Sequence, residues 1–139
     1  MRPLNFTVSW HSMRSRFRRG TATWMASDSP STQFSGVFED NGTSGYFYAY
    51  DRKAKPPILD AVQIYNAANV AEADRDSEAE VRWSPDGMKA GLFINDYLHA
   101  LVDFEARVAY CRSNFPTPSG AWAGSSRVPW RDALADLLK

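Results

Sequence analysis

The sequence predicts an α+β domain that is mostly β, an antiparallel meander sheet of about six to seven short strands with a C-terminal amphipathic helix packed on it. Three observations predict it. β-Branched and aromatic residues recur in short runs from Gln33 onward, turn residues separate those runs, and the last residues carry apolar side chains at helical steps.

The strands fall at residues 33–39, 45–52, 61–66, 78–83, 88–94, 98–104 and 107–114. Asp40-Asn41-Gly42 marks the first turn, because Asn-Gly readily adopts the positive φ angles of tight hairpins. Ser84-Pro85-Asp86-Gly87 marks another: Pro85 presets φ and Gly87 supplies a left-handed residue. Asn95-Asp96 makes a two-residue loop pairing Ile94 with Tyr97, and hence Phe93 with Leu98, Leu92 with His99 and Ala90 with Leu101. Alternation then places Leu98, Ala100, Val102 and Phe104 on one face and His99, Leu101 and Asp103 on the other. At the C-terminus, Pro129 suits a first helical position, and Trp130, Ala133, Leu134, Leu137 and Leu138 share a helix face. Residues 116–128, rich in Pro, Ser and Gly around Trp122, read as a long surface loop.

Sixteen basic residues balance sixteen acidic ones, so no overall field attracts nucleic acid or an anionic membrane. The charge is unevenly placed. Residues 1–30 hold Arg2, Arg14, Arg16, Arg18 and Arg19 against Asp28 alone, without a sustained apolar period. They read as a basic flexible leader, poorly ordered or an overlong gene start, with an organelle targeting peptide and a nucleic-acid-binding arm as the competing readings. Residues 31–139 form the single β-rich domain. The one cysteine, Cys111, forms no internal disulfide, and no apolar run reaches the roughly 18 residues of a membrane span. The expected location is the cytoplasm.

Few residues offer chemistry. His99 is the one candidate base for Cys111 outside the leader; a two-residue loop at Glu105-Ala106 sets Cys111 opposite Ala100 on the other face and forbids a dyad, whereas a three-residue loop sets Cys111 directly across from His99. One histidine and one cysteine in the body do not make a zinc site, and Asp74, Asp76 and Glu78 begin like a calcium loop that Ala79 and Pro85 then break. No metal or other cofactor is expected. No phosphate-cradling loop or hydrolase elbow is present. Tyr46, Tyr48 and Tyr50 share one strand face, where tyrosine serves packing, protein contact or base stacking.

The run Val81-Arg82-Trp83-Ser84-Pro85-Asp86-Gly87-Met88-Lys89-Ala90-Gly91-Leu92-Phe93-Ile94-Asn95, with Ala109-Tyr110-Cys111-Arg112-Ser113-Asn114-Phe115-Pro116, the turn at Asp40-Asn41-Gly42 and the strand from Tyr46 to Asp51, resembles a family of small uncharacterised bacterial proteins. The resemblance spans about residues 33–122 and implies a bacterial single-domain protein. It brings no site residues.

From the residues themselves the expectation is a non-enzymatic protein-binding module, in concrete form an immunity-type neutraliser of a bacterial toxin. Its partner contacts would be Tyr46, Tyr48, Trp83, Trp122, Asp74, Asp76, Glu78 and Glu80, aromatic anchors beside an acidic stretch that suits a basic partner protein. The first rival is a small-ligand site or enzyme in a sheet cleft around Tyr97, His99, Asp103 and Arg112. The second is nucleic-acid binding by the Arg-rich leader and the tyrosine strand.

Overall fold

Alternating buried and exposed side chains distribute the strands over two sheets rather than one. The computed structural model describes residues 12–70, 75–113, 115, 122 and 130–139. Among them the strands are β1 (Ser12–Arg18), β2 (Thr23–Asp28), β3 (Phe34–Asp40), β4 (Ser44–Asp51), β5 (Ile58–Asn66), β6 (Asp76–Trp83), β7 (Lys89–Ile94), β8 (Tyr97–Asp103) and β9 (Val108–Cys111). A five-stranded sheet runs β1-β6-β7-β8-β9 and a four-stranded sheet β2-β3-β4-β5, with every pairing antiparallel.

This corrects the single meander. A chain that alternates as this one does presents one apolar row per strand, and two sheets face to face bury all those rows at once. In the four-stranded sheet Met25, Phe38, Phe47 and Val62 form one cross-strand row; in the other, Val81, Leu92, Ala100 and Cys111 form its counterpart. All eight belong to one buried cluster.

Ser12–Arg18 and Thr23–Asp28 are strands, where the sequence predicted no stable element. Their stability is non-local. Phe17 and Met25 enter the shared core, with Phe17 meeting Phe38 edge-on at 4.9 Å. The register sets Arg14 opposite Glu80, Arg16 opposite Glu78 and Arg18 opposite Asp76, so cross-strand charges attract along the whole pair.

The C-terminal prediction also needs correction. Residues Asp132–Leu138 form a 3-10 helix, not an amphipathic α-helix. Seven residues are too few to repay α-helix nucleation, Arg131 offers no side-chain cap, and Leu134 and Leu137, three apart, also suit a three-residue turn. Leu134 is buried against Leu101 and Tyr110, and Leu137 and Leu138 pack beside it, so this segment roofs part of the outer face of the five-stranded sheet.

Two hairpins follow the local chemistry. Asn95 and Asp96 take φ of 53° and 65°, joining Ile94 to Tyr97 in a turn whose twist matches the strands. In the other, Gly87 lies at φ 71°, its N–H donates to the Ser84 carbonyl, and Asp86 accepts from the Ser84 hydroxyl and the Met88 N–H. Those bonds hold the Asp86 carboxyl below the usual carboxylate range. The hydroxyls of Ser29, Ser31 and Thr32 donate to carbonyls of Asp86 and Gly87, tying the link between β2 and β3 to this turn.

One register prediction fails by a single residue. Phe93 pairs with Leu98 as expected, but a bulge follows, so that Leu92 pairs with Ala100 and Ala90 with Val102. His99 is the extra residue, and Leu98 joins Phe93 on the outer face while Ala100, Val102 and Phe104 remain in the core.

The sheets are also bridged by a hydrogen bond. Trp83 Nε1 donates to Ser27 Oγ at 3.0 Å across the buried interior. Ser27→Ala leaves that N–H unsatisfied and is expected to cost about 1 kcal/mol in urea denaturation, with the native fold retained.

Candidate functional site

Two outer faces remain to be compared, and their chemistry differs. On the five-stranded sheet, charge cancels charge. Arg14 Nη1 donates to Glu78 at 2.7 Å and its Nη2 lies 3.3 Å from Glu80; Arg82 reaches Glu80 at 2.7 Å and Asp96 at 3.3 Å. Arg18 pairs with Asp76 at 2.9 Å. Arg14 and Arg18, from the stretch expected to bind nucleic acid, thus pair with Asp76, Glu78 and Glu80, from the stretch expected to bind a basic protein. Glu80 is itself buried, and Asp74 lies outside the described residues.

Trp83 and Trp122 are not surface anchors. They are 3% and 7% exposed, and both rings pack on Phe104 with centroids 5.9 Å away. Trp122 also donates its backbone N–H to the Leu59 carbonyl, so the predicted surface position becomes part of the core. The rest of the loop predicted at residues 116–128 lies outside the described residues.

The alternative cleft assembles in part. Tyr97 and His99 meet edge-on at 5.4 Å, and Arg112 lies over the Tyr97 ring at 4.2 Å. The Arg112 guanidinium is also 4.6 Å from the Trp130 ring, donates to the Leu98 carbonyl at 2.6 Å and pairs with Asp132 at 3.4 Å. The space between the two rings is filled by that cation. Burial, with Arg19 and Arg112 adding positive charge, pushes the His99 pKa down to about 4, so the imidazole is neutral at pH 7. Asp103 stands apart, buried at the far end of β8, where its carboxylate accepts from the Glu105 and Ala106 N–H groups of the next turn.

Cys111 lies opposite Ala100 and belongs to the inner core. Its thiol approaches the Gln63 carbonyl and the Ser113 hydroxyl, and no contact with His99 is made. Among the described residues no three His, Cys, Asp or Glu side chains cluster closely enough to hold a metal ion, and no helix is long and apolar enough to cross a membrane.

The outer face of the four-stranded sheet is organised differently. Trp24, Glu39, Tyr46 and Gln63 form one cross-strand row; Ala26, Val37, Tyr48 and Ala61 form the next. Trp24 is 56% exposed and lies 6.3 Å from Tyr48, whose ring lies 6.1 Å from Tyr46 and nearly parallel to it. Beneath them Val37 is buried, so the rings form the surface layer over a filled sheet. Tyr48 donates its hydroxyl to Glu39 Oε1 at 2.7 Å, and burial together with this carboxylate raises the Tyr48 pKa. Arg52, at the edge of the face, donates to the Thr32 and Phe34 carbonyls and the Ser35 hydroxyl, and lies 3.4 Å from Asp28.

Tyr46 and Tyr48 were legible as a surface pair; Trp24 and Glu39 were not. The available signal was in β2, where Trp24, Ala26 and Asp28 alternate with the inward Met25 and Ser27.

The family described as "Uncharacterized protein conserved in bacteria (DUF2251)" matches residues 17–139, reaching further toward both ends than the expected 33–122. A curated "Uncharacterized protein" of Haemophilus influenzae is 38% identical over 86 residues, which is 61% of this chain and 53% of the relative. The chain therefore spans about half the length of that relative. No solved structure matches.

Proposed function

Starting from a chain that belongs to this family of uncharacterised bacterial proteins, we propose that it is a non-enzymatic protein-binding module whose contact surface is the outer face of the four-stranded sheet. One observation carries the reading: a tryptophan more than half exposed, at 56%, set among tyrosines on a face that no described segment covers. Exposing a large indole costs solvation free energy unless a partner buries it, and Trp and Tyr dominate the energetics of protein interfaces.

Two further observations favour a polypeptide over nucleic acid. Glu39 occupies the middle of the aromatic row, where it would repel phosphate. Arg52, one of the cations at this face's edge, is already committed to three oxygen acceptors in its own chain. Neutralising a toxin is one form such a module can take, and the same face would carry it.

The test is site-directed photocrosslinking in bacterial cells, with p-benzoylphenylalanine in place of Tyr46 and, as control, of Arg16 on the opposite sheet. A discrete protein adduct formed from position 46, absent from position 16 and lost in a Trp24→Ala background supports the reading. Adducts that ignore position, or none from the tyrosine face, defeat it. Trp24→Ala itself is expected to change folding stability by less than about 1 kcal/mol, because the indole is largely in water.

A further inference from the structure

The face that no described segment covers has a chemical bias of its own. Glu39 is flanked in its row by Trp24 on β2 and Tyr46 on β4, with Tyr48 on the diagonal. Its Oε1 accepts from Tyr48, while Oε2 has no hydrogen-bond partner and no cation lies within ion-pair distance among the described residues. Asp28, Asp76, Glu78, Glu80, Asp86, Glu105, Asp132 and Asp136 each stand within 4.0 Å of an arginine or lysine nitrogen, and Asp40, Asp51 and Asp103, which like Glu39 have no such cation among the described residues, accept backbone N–H groups that Glu39 does not. Glu39 is a partly buried carboxylate inside an aromatic patch, lacking the counter-ion its environment favours.

We infer that this face binds an arginine side chain presented by a partner polypeptide, with Glu39 taking the guanidinium and the rings of Trp24, Tyr46 and Tyr48 packing on it. The inference rests on the binding-module reading and narrows it to the chemistry of the partner. A planar guanidinium suits the site better than an ammonium, because it can donate to a carboxylate while stacking on an aromatic face. The fold uses the same arrangement internally, where Arg82 lies 3.9 Å over Phe93 while pairing with Glu80, and Arg112 lies over Tyr97 while pairing with Asp132. Both of those aromatic–carboxylate sites are filled by the chain's own arginine; the one at Glu39 is open.

The experiment is a nitrogen-15 NMR titration of the full chain with three blocked pentapeptides, Gly-Gly-X-Gly-Gly, in which X is arginine, lysine or citrulline. Citrulline keeps the shape of arginine and removes its charge. The arginine peptide is expected to shift the Trp24 indole N–H and the amides of Glu39, Tyr46 and Tyr48, about tenfold more tightly than the citrulline peptide. Glu39→Gln is expected to remove that preference while leaving the spectrum folded, since its amide oxygen still accepts from Tyr48. Glu105→Gln, remote from the face, should leave binding unchanged. Equal affinity for arginine and citrulline would overturn the inference while leaving a peptide-binding face intact. Absence of any shift up to millimolar peptide also overturns it, and the crosslinking result then judges the module reading separately. Perturbation of the same residues by a single-stranded oligonucleotide but not by peptide would overturn it in favour of nucleic acid.

Discussion

Asp40→Ala is expected to lower folding stability by about 4 kcal/mol. Asp40 is 1% exposed, yet its carboxylate accepts from the Gly20 N–H at 2.6 Å, the Gly42 N–H at 2.8 Å and the Tyr65 hydroxyl at 2.6 Å. Those donors belong to the β1–β2 turn, the β3–β4 turn and β5, so one side chain fastens three segments. Removing it strands three donors, each worth roughly 1 to 3 kcal/mol when buried and unsatisfied, with partial recovery through water. Burial and the Asp40 carboxylate both raise the Tyr65 pKa, which agrees with a hydroxyl held as a donor. Chemical denaturation reads the loss directly, and the melting temperature should fall by roughly 12 °C. Asp40→Asn, which keeps one acceptor oxygen, should lose about half as much. A change below about 1 kcal/mol for the alanine variant would show that these bonds do not hold the turns.

The second large effect is on pH. His99 has its folded pKa pushed down to about 4, against an ordinary value of 6.5, by burial and by the charges of Arg19 and Arg112. The unfolded chain therefore takes up a proton between these two values that the folded chain refuses. Stability is full above pH 6.5 and falls as pH drops toward 4, by about 2 kcal/mol at pH 5. Asp86, held below the usual carboxylate range, contributes its own loss only at lower pH. Urea denaturation of the native protein and of His99→Gln at pH 7 and pH 5 isolates the term: the native protein should lose about 2 kcal/mol more than the variant across that interval. Equal losses would mean that the imidazole is already solvated in the fold.

What the sequence made legible, and what it did not, follows from the range of the interactions. Asn95-Asp96 and Ser84 to Gly87 announce their turns because the conformations they need are properties of those few residues. The strands they join appear for the same reason, within a residue or two at most ends. β1 was invisible because its alternating arginines look like a solvated tail until β6 supplies acids in register, 58 residues later for Arg18 and Asp76. The bulge at His99 was invisible because alternation alone cannot show that one strand carries an extra residue.

At the candidate site the same division holds. Tyr46 and Tyr48 sit two apart on one strand and declare a common face. Trp83, Trp122, Trp24 and Glu39 depend on which sheet covers which. Only the packing of two layers decides that the first two residues are inside and the others outside. Partition into two sheets instead of one meander is likewise a global choice, since either arrangement uses the same hairpins.

The pairing of β1 with β6 also bears on how the chain is made. Arg18 leaves the ribosome 58 residues before Asp76, which at cellular rates of synthesis is roughly 3 to 12 seconds. Within that interval β2 to β5 emerge in turn and can join one another, whereas β1 has no strand of its own sheet to lie against. The five-stranded sheet therefore cannot start until β6 is made, although one of its edge strands is translated much earlier, and protease cleavage of arrested nascent chains should stay easy at Arg14 to Arg19 until β6 emerges.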